Sequence, residues 1–154
     1  MNDIHLFLAH AISLEAEAAR RYEELADAMH TFGNAAVEAF FRLMAHFSRQ
    51  HLAEASARGG FRAVPNLRPE EYRWPDGTSP EAVTWAGVDG FLDVPAALAM
   101  ALDGERRGQA FYAIIAATSR NPRVKAMAAE FAAEEAQHVA DLEGRIARLT
   151  APAT

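Results

Sequence analysis

The sequence predicts an all-α protein, a four-helix bundle made of two antiparallel helix pairs. Apolar residues recur at helical spacing over four segments, and no alternating run of β-branched residues competes with them. A non-periodic stretch at about 58–94, rich in proline, separates the second segment from the third. A connection that long lets the third helix start from the far end of the bundle, whereas short connections make neighbours antiparallel. The 154 residues, 51% of them hydrophobic, suffice for a single domain over 1–154 and are too few for two of ordinary size.

The first helix is expected over about 3–30, with Ile4, Leu8, Ala11, Ile12, Ala19, Tyr22, Ala26 and Met29 on one side. Gly33 and Asn34 break it. The second is expected over about 34–57, on a stripe of Val37, Phe40, Phe41, Met44, Phe47 and Ala55, and Gly59 and Gly60 end it. The crossover follows, with four prolines between 61 and 93 and room for one short helical turn at 80–87. Its aromatic residues Tyr72, Trp74 and Trp85 are expected to seal the bundle. Pro95 suits a first helical turn and opens a third helix that runs to about 119. Asn121 and Pro122 open the fourth, over about 121–149, with Met127, Phe131, Leu142 and Leu149 facing inward.

Several functions are excluded by composition. Fifteen basic and 21 acidic residues give a formal charge of −6 with no basic stripe, which argues against a nucleic-acid surface. The chain has no cysteine, so disulfides, thiol catalysis, iron–sulfur centres and thiolate metal sites are absent. Any metal here takes oxygen and nitrogen ligands. The N-terminus has neither the basic start nor the long apolar core of a signal peptide, and no stretch is apolar enough to span a bilayer; a cytoplasmic location is the expectation.

The polar residues on the apolar stripes carry the functional information. With about 100° of rotation per residue, Glu15 falls among Leu8, Ala11, Ile12, Ala19 and Tyr22, while Glu17 faces away. Glu105 takes the same place among Leu98, Ala101, Leu102, Tyr112 and Ala116. His51 extends the second stripe, and Glu135 and His138 extend the fourth, with Glu134 further off it. The two halves repeat: Glu15 and Tyr22 are seven apart and followed by His51, as Glu105 and Tyr112 are seven apart and followed by His138. Each tyrosine is placed to meet a carboxylate from the other half. One inward histidine or tyrosine is ordinary core. Three inward glutamates are not, because an uncompensated buried carboxylate costs several kcal/mol, and Arg20, Arg21, Arg106 and Arg107 point elsewhere. The set as a whole points to a metal.

A glutamate from each of two helices with a Glu-x-x-His from the others is the ligand pattern of carboxylate di-iron bundles. Through E15-AEAARR-Y22, SRQH51, E105-RRGQAF-Y112 and E135-AQ-H138, the sequence resembles the rubrerythrins and their ferritin-like relatives along its whole length. The resemblance implies that Glu15, His51, Glu105, Glu135 and His138 bind metal, with Tyr22 and Tyr112 behind them as catalytic helpers. It implies two irons, though the ligand types suit manganese and zinc as well. Two positions depart from the pattern. Ser48 stands where a bridging glutamate is expected, and Gly108 stands where many rubrerythrins carry a further glutamate. With Ser48, three carboxylates leave a formal +1 against two divalent ions, so a single ion is the alternative, with Glu54 as a reserve ligand.

The function expected is reaction with peroxide or oxygen, with electrons from an external donor because a rubredoxin centre is missing. A metal-carrying module without turnover, a scaffold that has lost its metal, and a hydroxylase of small organic substrates are the rivals. Outward Met100, Phe111 and Ile114 on the third helix are expected to pack under the crossover or against a second subunit, as a homodimer.

Overall fold

The computed structural model describes residues 1–59, 67–81 and 87–150. Four helices account for most of them: α1 (Ile4–Thr31), α2 (Ala35–Gly59), α3 (Val94–Thr118) and α4 (Pro122–Thr150), with no strand among the described residues. Every helix end lies within a residue or two of its sequence expectation. The fold is an all-α four-helix bundle. No helix among the described residues is long and apolar enough to cross a membrane.

The boundaries have local causes. Asp3 caps α1 by accepting from the Leu6 N–H at 2.9 Å, and Asp93 caps α3 by accepting from that of Ala96 at 2.9 Å. Asn121 does the same for α4 through the Arg123 N–H at 3.0 Å. Between α1 and α2 the chain reverses in three residues. Gly33 has φ +74°, the Asn34 N–H reaches the Met29 carbonyl at 2.9 Å and the Gly33 N–H that of His30 at 3.1 Å. That is a Schellman cap, which needs a left-handed residue at this point.

Within each pair, α1 with α2 and α3 with α4, the helices pack along their lengths; between pairs, α2 meets α3 and α1 meets α4 more sparingly. The core falls into two apolar clusters. One gathers Tyr22, Leu25, Met29, Phe40, Phe41, Met44, Leu98, Leu102 and Leu142 at one end. The other gathers Phe7, Leu8, Ile12, Leu14, Phe111, Tyr112, Ile115 and Phe131 at the opposite end. The polar stripe positions 15, 51, 105, 135 and 138 lie between them in the sequence of every helix, so the inward charges form a layer across mid-bundle.

The crossover travels from one cluster to the other: Trp74 packs on the first-reached end, and Val88 and Leu92 on the far one. It is fastened on the way. His10, buried on α1, has Nδ1 at 2.8 Å from the Leu6 carbonyl and accepts from the Arg73 N–H on Nε2 at 2.9 Å. That pair of contacts fixes the neutral ring with its proton on Nδ1, and burial lowers its pKa in the same sense. Tyr72 and Trp74 stack on one another and each meets the His10 ring edge to face, and Trp74 also meets Phe111. Further on, Arg107 of α3 donates from Nε to the Pro80 carbonyl at 2.6 Å. The expected sealing role of Tyr72 and Trp74 is therefore observed, while Trp85 lies outside the described residues. A single 3-10 turn occurs at Pro69–Glu71, and the turn expected at 80–87 falls largely on residues outside the described ones.

Two stripe residues are not buried as expected. Phe47 is 37% exposed and Leu149 53% exposed, because a groove runs between α2 and α4 where the sequence stripes predict a closed seam. Of the outward residues of α3, Phe111 is buried under Trp74, Met100 packs against the core edge, and Ile114 stays exposed.

Candidate metal centre

All five residues expected from the helices converge on the mid-bundle layer. Glu15, Glu105 and Glu135 are buried, and His51 and His138 are half-buried. His51 Nδ1 lies 3.8 Å from Glu15 Oε2. His138 Nδ1 lies 3.5 Å from an oxygen of Glu105 and 3.5 Å from one of Glu135. The two imidazoles stack with centroids 4.2 Å apart at 11°, one from each half of the chain. The repeat seen in the sequence is thus a pairing in space.

A residue that sequence reasoning missed joins them. Glu81 of the crossover is buried as deeply as the helical glutamates. Potential ligand atoms form two groups, each within 4.8 Å: His51, Glu135 and His138, and Glu15, Glu81 and Glu135. Glu135 belongs to both. Nothing periodic marks Glu81, since it sits in a loop where acids are ordinarily solvated. The signals that point to it are indirect: the absent carboxylate at Ser48 and the glycine at position 108 on an otherwise filled stripe.

The centre is electrostatically incomplete as a set of protein atoms. Among the described residues, the buried side-chain polar atoms without a hydrogen-bond partner are Ser79 Oγ and five atoms of this layer: Glu15 Oε2, Glu81 Oε1, Glu105 Oε2, Glu135 Oε2 and His138 Nδ1. Buried polar atoms are nearly always paired, and among the described residues no arginine is paired with a carboxylate of the layer. Arg20 pairs with Glu17 and Glu24, Arg106 with Glu143, and Arg107 with Asp103. Orphaned oxygens converging from four elements fit the coordination of divalent cations.

The protonation of the metal-free layer follows from the same crowding. Burial raises the Glu105 carboxyl to about 8, helped by Glu135 and opposed by His138. Burial raises Glu15 as well, against the lowering effect of His51. Glu81 goes well above its usual range through burial and then the charges of Glu135, Glu15 and Glu105. Burial pulls the histidines down, but the carboxylates outweigh it: His51 rises, through Glu15, and His138 reaches about 10, through Glu105 and Glu135. The layer holds protons where a cation would hold charge.

The remaining expected residues are placed as follows. Tyr22 and Tyr112 are buried behind the layer, their phenols raised by burial and then by carboxylates of the other half, Glu105 for Tyr22 and Glu15 for Tyr112. Ser48 is buried three residues before His51 and offers a hydroxyl where a carboxylate would bridge. Glu54 is exposed and belongs to neither ligand group, because one turn beyond His51 it has rotated toward solvent and the charge of Arg58. Glu134 is likewise outside, paired with Arg58 at 2.7 Å.

The layer reaches solvent on one side. The groove between α2 and α4 has a volume of about 310 Å³, and Phe40, Met44 and Phe47 line it on one wall, with Glu105 and His138 at its floor. On the crossover side, Trp74, Pro80 and Glu81 cover the bundle.

No family model and no curated protein matches the sequence. Among solved structures, an uncharacterised conserved protein from Magnetospirillum magnetotacticum MS-1, determined by crystallography at 2.00 Å resolution, is 40% identical over 99% of both chains and superposes with a TM-score of 0.71. Bundle, layer and relative together define a protein of the ferritin-like class. The chain belongs to the family of that Magnetospirillum protein, which is of the rubrerythrin type.

Proposed function

We propose that this chain is a non-haem metal protein that binds two ions, iron foremost, in the mid-bundle layer and reduces peroxide or oxygen with electrons from an external donor. The observation that carries the reading is the group of orphaned buried oxygens and imidazole nitrogen from both halves of the chain, with Glu135 common to both ligand groups. Glu135 would bridge, Glu15 and Glu105 would each hold one ion, and His51 and His138 would complete the coordination. Iron held there would take electrons from the external donor and pass them to the oxidant.

The protein's own contribution is positional. His138, stacked on His51, stands with Glu105 on the groove side of the centre, so a small oxidant would arrive there rather than through the crossover. Tyr22 and Tyr112 stay protonated through burial and the neighbouring charges of Glu105 and Glu15, and would orient the carboxylates and relay protons. The apolar clusters above and below exclude water from the layer's flanks. The homodimer and the cytoplasmic location stay part of this proposal.

Metal counting on protein purified without chelators, followed by anaerobic loading with ferrous iron and stopped-flow mixing with peroxide and with oxygen, tests the reading. Two ions per chain and reoxidation by either oxidant are expected. Two ions with no reoxidation would leave a metal carrier in its place, and no bound metal would leave a scaffold.

A further inference from the structure

The helices alone leave a two-metal site one charge short. Glu15, Glu105 and Glu135 bring three negative charges against the four positive ones of two divalent ions, and Ser48 brings none. Glu81 stands in the right place to make up the difference. It is 3% exposed, its Oε1 has no hydrogen-bond partner, and one of its oxygens lies within 4.8 Å of ligand atoms of both Glu15 and Glu135.

The packing around it has the form of a built receptacle. A Cβ added at Gly108 would stand 2.8 Å from Glu81 Cδ and 2.9 Å from its Cγ, with Oε1 closer still. A side chain at position 108 would force the carboxylate to shift from this seat, so the glycine on α3 makes room for it. The adjacent residue, Arg107, holds the crossover from Nε to the carbonyl of Pro80, immediately before Glu81. Upstream, the Arg73 N–H is held by His10. Loop acids are free to turn outward, and burying one without compensation costs several kcal/mol; here the chain is fastened so that it points inward.

We propose that Glu81 is a metal ligand delivered by the crossover, the fourth carboxylate of the centre, seated in a notch left by Gly108. This rests on the two-metal reading above. The crossover is then a structural part of the centre, and ion binding fixes it to the bundle. The ligand shell becomes four carboxylates and two imidazoles, charge-neutral with two divalent ions.

The test is titration with manganese(II) alone, read by calorimetry and by metal retained after desalting, on wild type, E81Q and G108A, with helical circular dichroism as the control for folding. Wild type binds two ions. E81Q keeps the fold, because a neutral amide replaces a carboxyl of the same shape, and either retains one ion or binds the second at least about tenfold more weakly, since even groups supporting a ligand are worth 10- to 100-fold. G108A leaves every carboxylate in the sequence but displaces Glu81, and shows the same loss; should it fail to fold, E81A replaces it. Two ions bound by E81Q with wild-type affinity would overturn the proposal and leave the two-metal reading intact. A wild type that binds no ion would overturn both.

Discussion

Single side chains in the layer set how the metal-free protein responds to pH. Glu105 is raised from 4.5 to about 8 and His138 from 6.5 to about 10, so each binds its proton more tightly in the folded chain than in the unfolded one. Between those limits the folded state carries more protons, and stability falls as pH rises. The contribution of Glu105 is present at pH below its unfolded value and lost as pH climbs through about 8; that of His138 is lost through about 10. Urea denaturation of chelator-treated protein should give midpoints that decline from about pH 5 to about pH 9. Metal-loaded protein should lack the decline, because the ion takes the protons' place. Midpoints that rise across this range would mean that the layer is ionised and paired in some other way. At the same scale lies the difference between what the sequence showed and what it hid. Glu15, His51, Glu105, Glu135 and His138 were legible because a helix converts spacing into direction. Glu81 was not, because a loop has no such conversion, and its burial is decided by Arg107, His10 and Gly108, which are remote in sequence.

The elements were legible for the same reason, down to caps such as Asp3, Asp93 and Asn121. The crossover was legible only as a connection. Its course depends on contacts between a loop and two helices, and His10 is the chief of these: one ring satisfies the Arg73 N–H and also forms the floor for Tyr72 and Trp74. Replacing His10 with alanine leaves that N–H without its partner, at about 1–3 kcal/mol, and opens a cavity under two aromatic rings. A loss of about 2–4 kcal/mol is expected in denaturant unfolding, together with faster amide exchange at Arg73, while the helical circular dichroism of the folded protein is retained. A cost below about 0.5 kcal/mol, the range of ordinary surface changes, would show that the clamp does not hold the crossover.

At the scale of the whole molecule, the centre ties all four helices and the crossover into one unit. A ligand that binds only the folded state adds about 2.7 kcal/mol at a hundred times its dissociation constant. For a chain of this size each kcal/mol moves the melting temperature by about 2–4 °C, so one filled site is worth about 5–11 °C. Differential scanning calorimetry with and without added manganese(II) should show at least that rise, and the same melting temperature in both conditions would remove the metal from the account. The repeat of Glu, Tyr and His in the two halves was visible as spacing; that the halves meet as stacked imidazoles needed three dimensions.

The division of the core by a polar layer has an energetic corollary. Phe7 and Phe41 are both fully buried, yet they belong to different apolar clusters with the carboxylates between them. Neither lines a hollow that the other can relax into. The penalties for trimming the two should therefore simply sum, to within about 0.5 kcal/mol, as they do for residues that share no neighbours. Mutationally, the bundle is two small cores strung on one set of helices, and damage done to one end stays there.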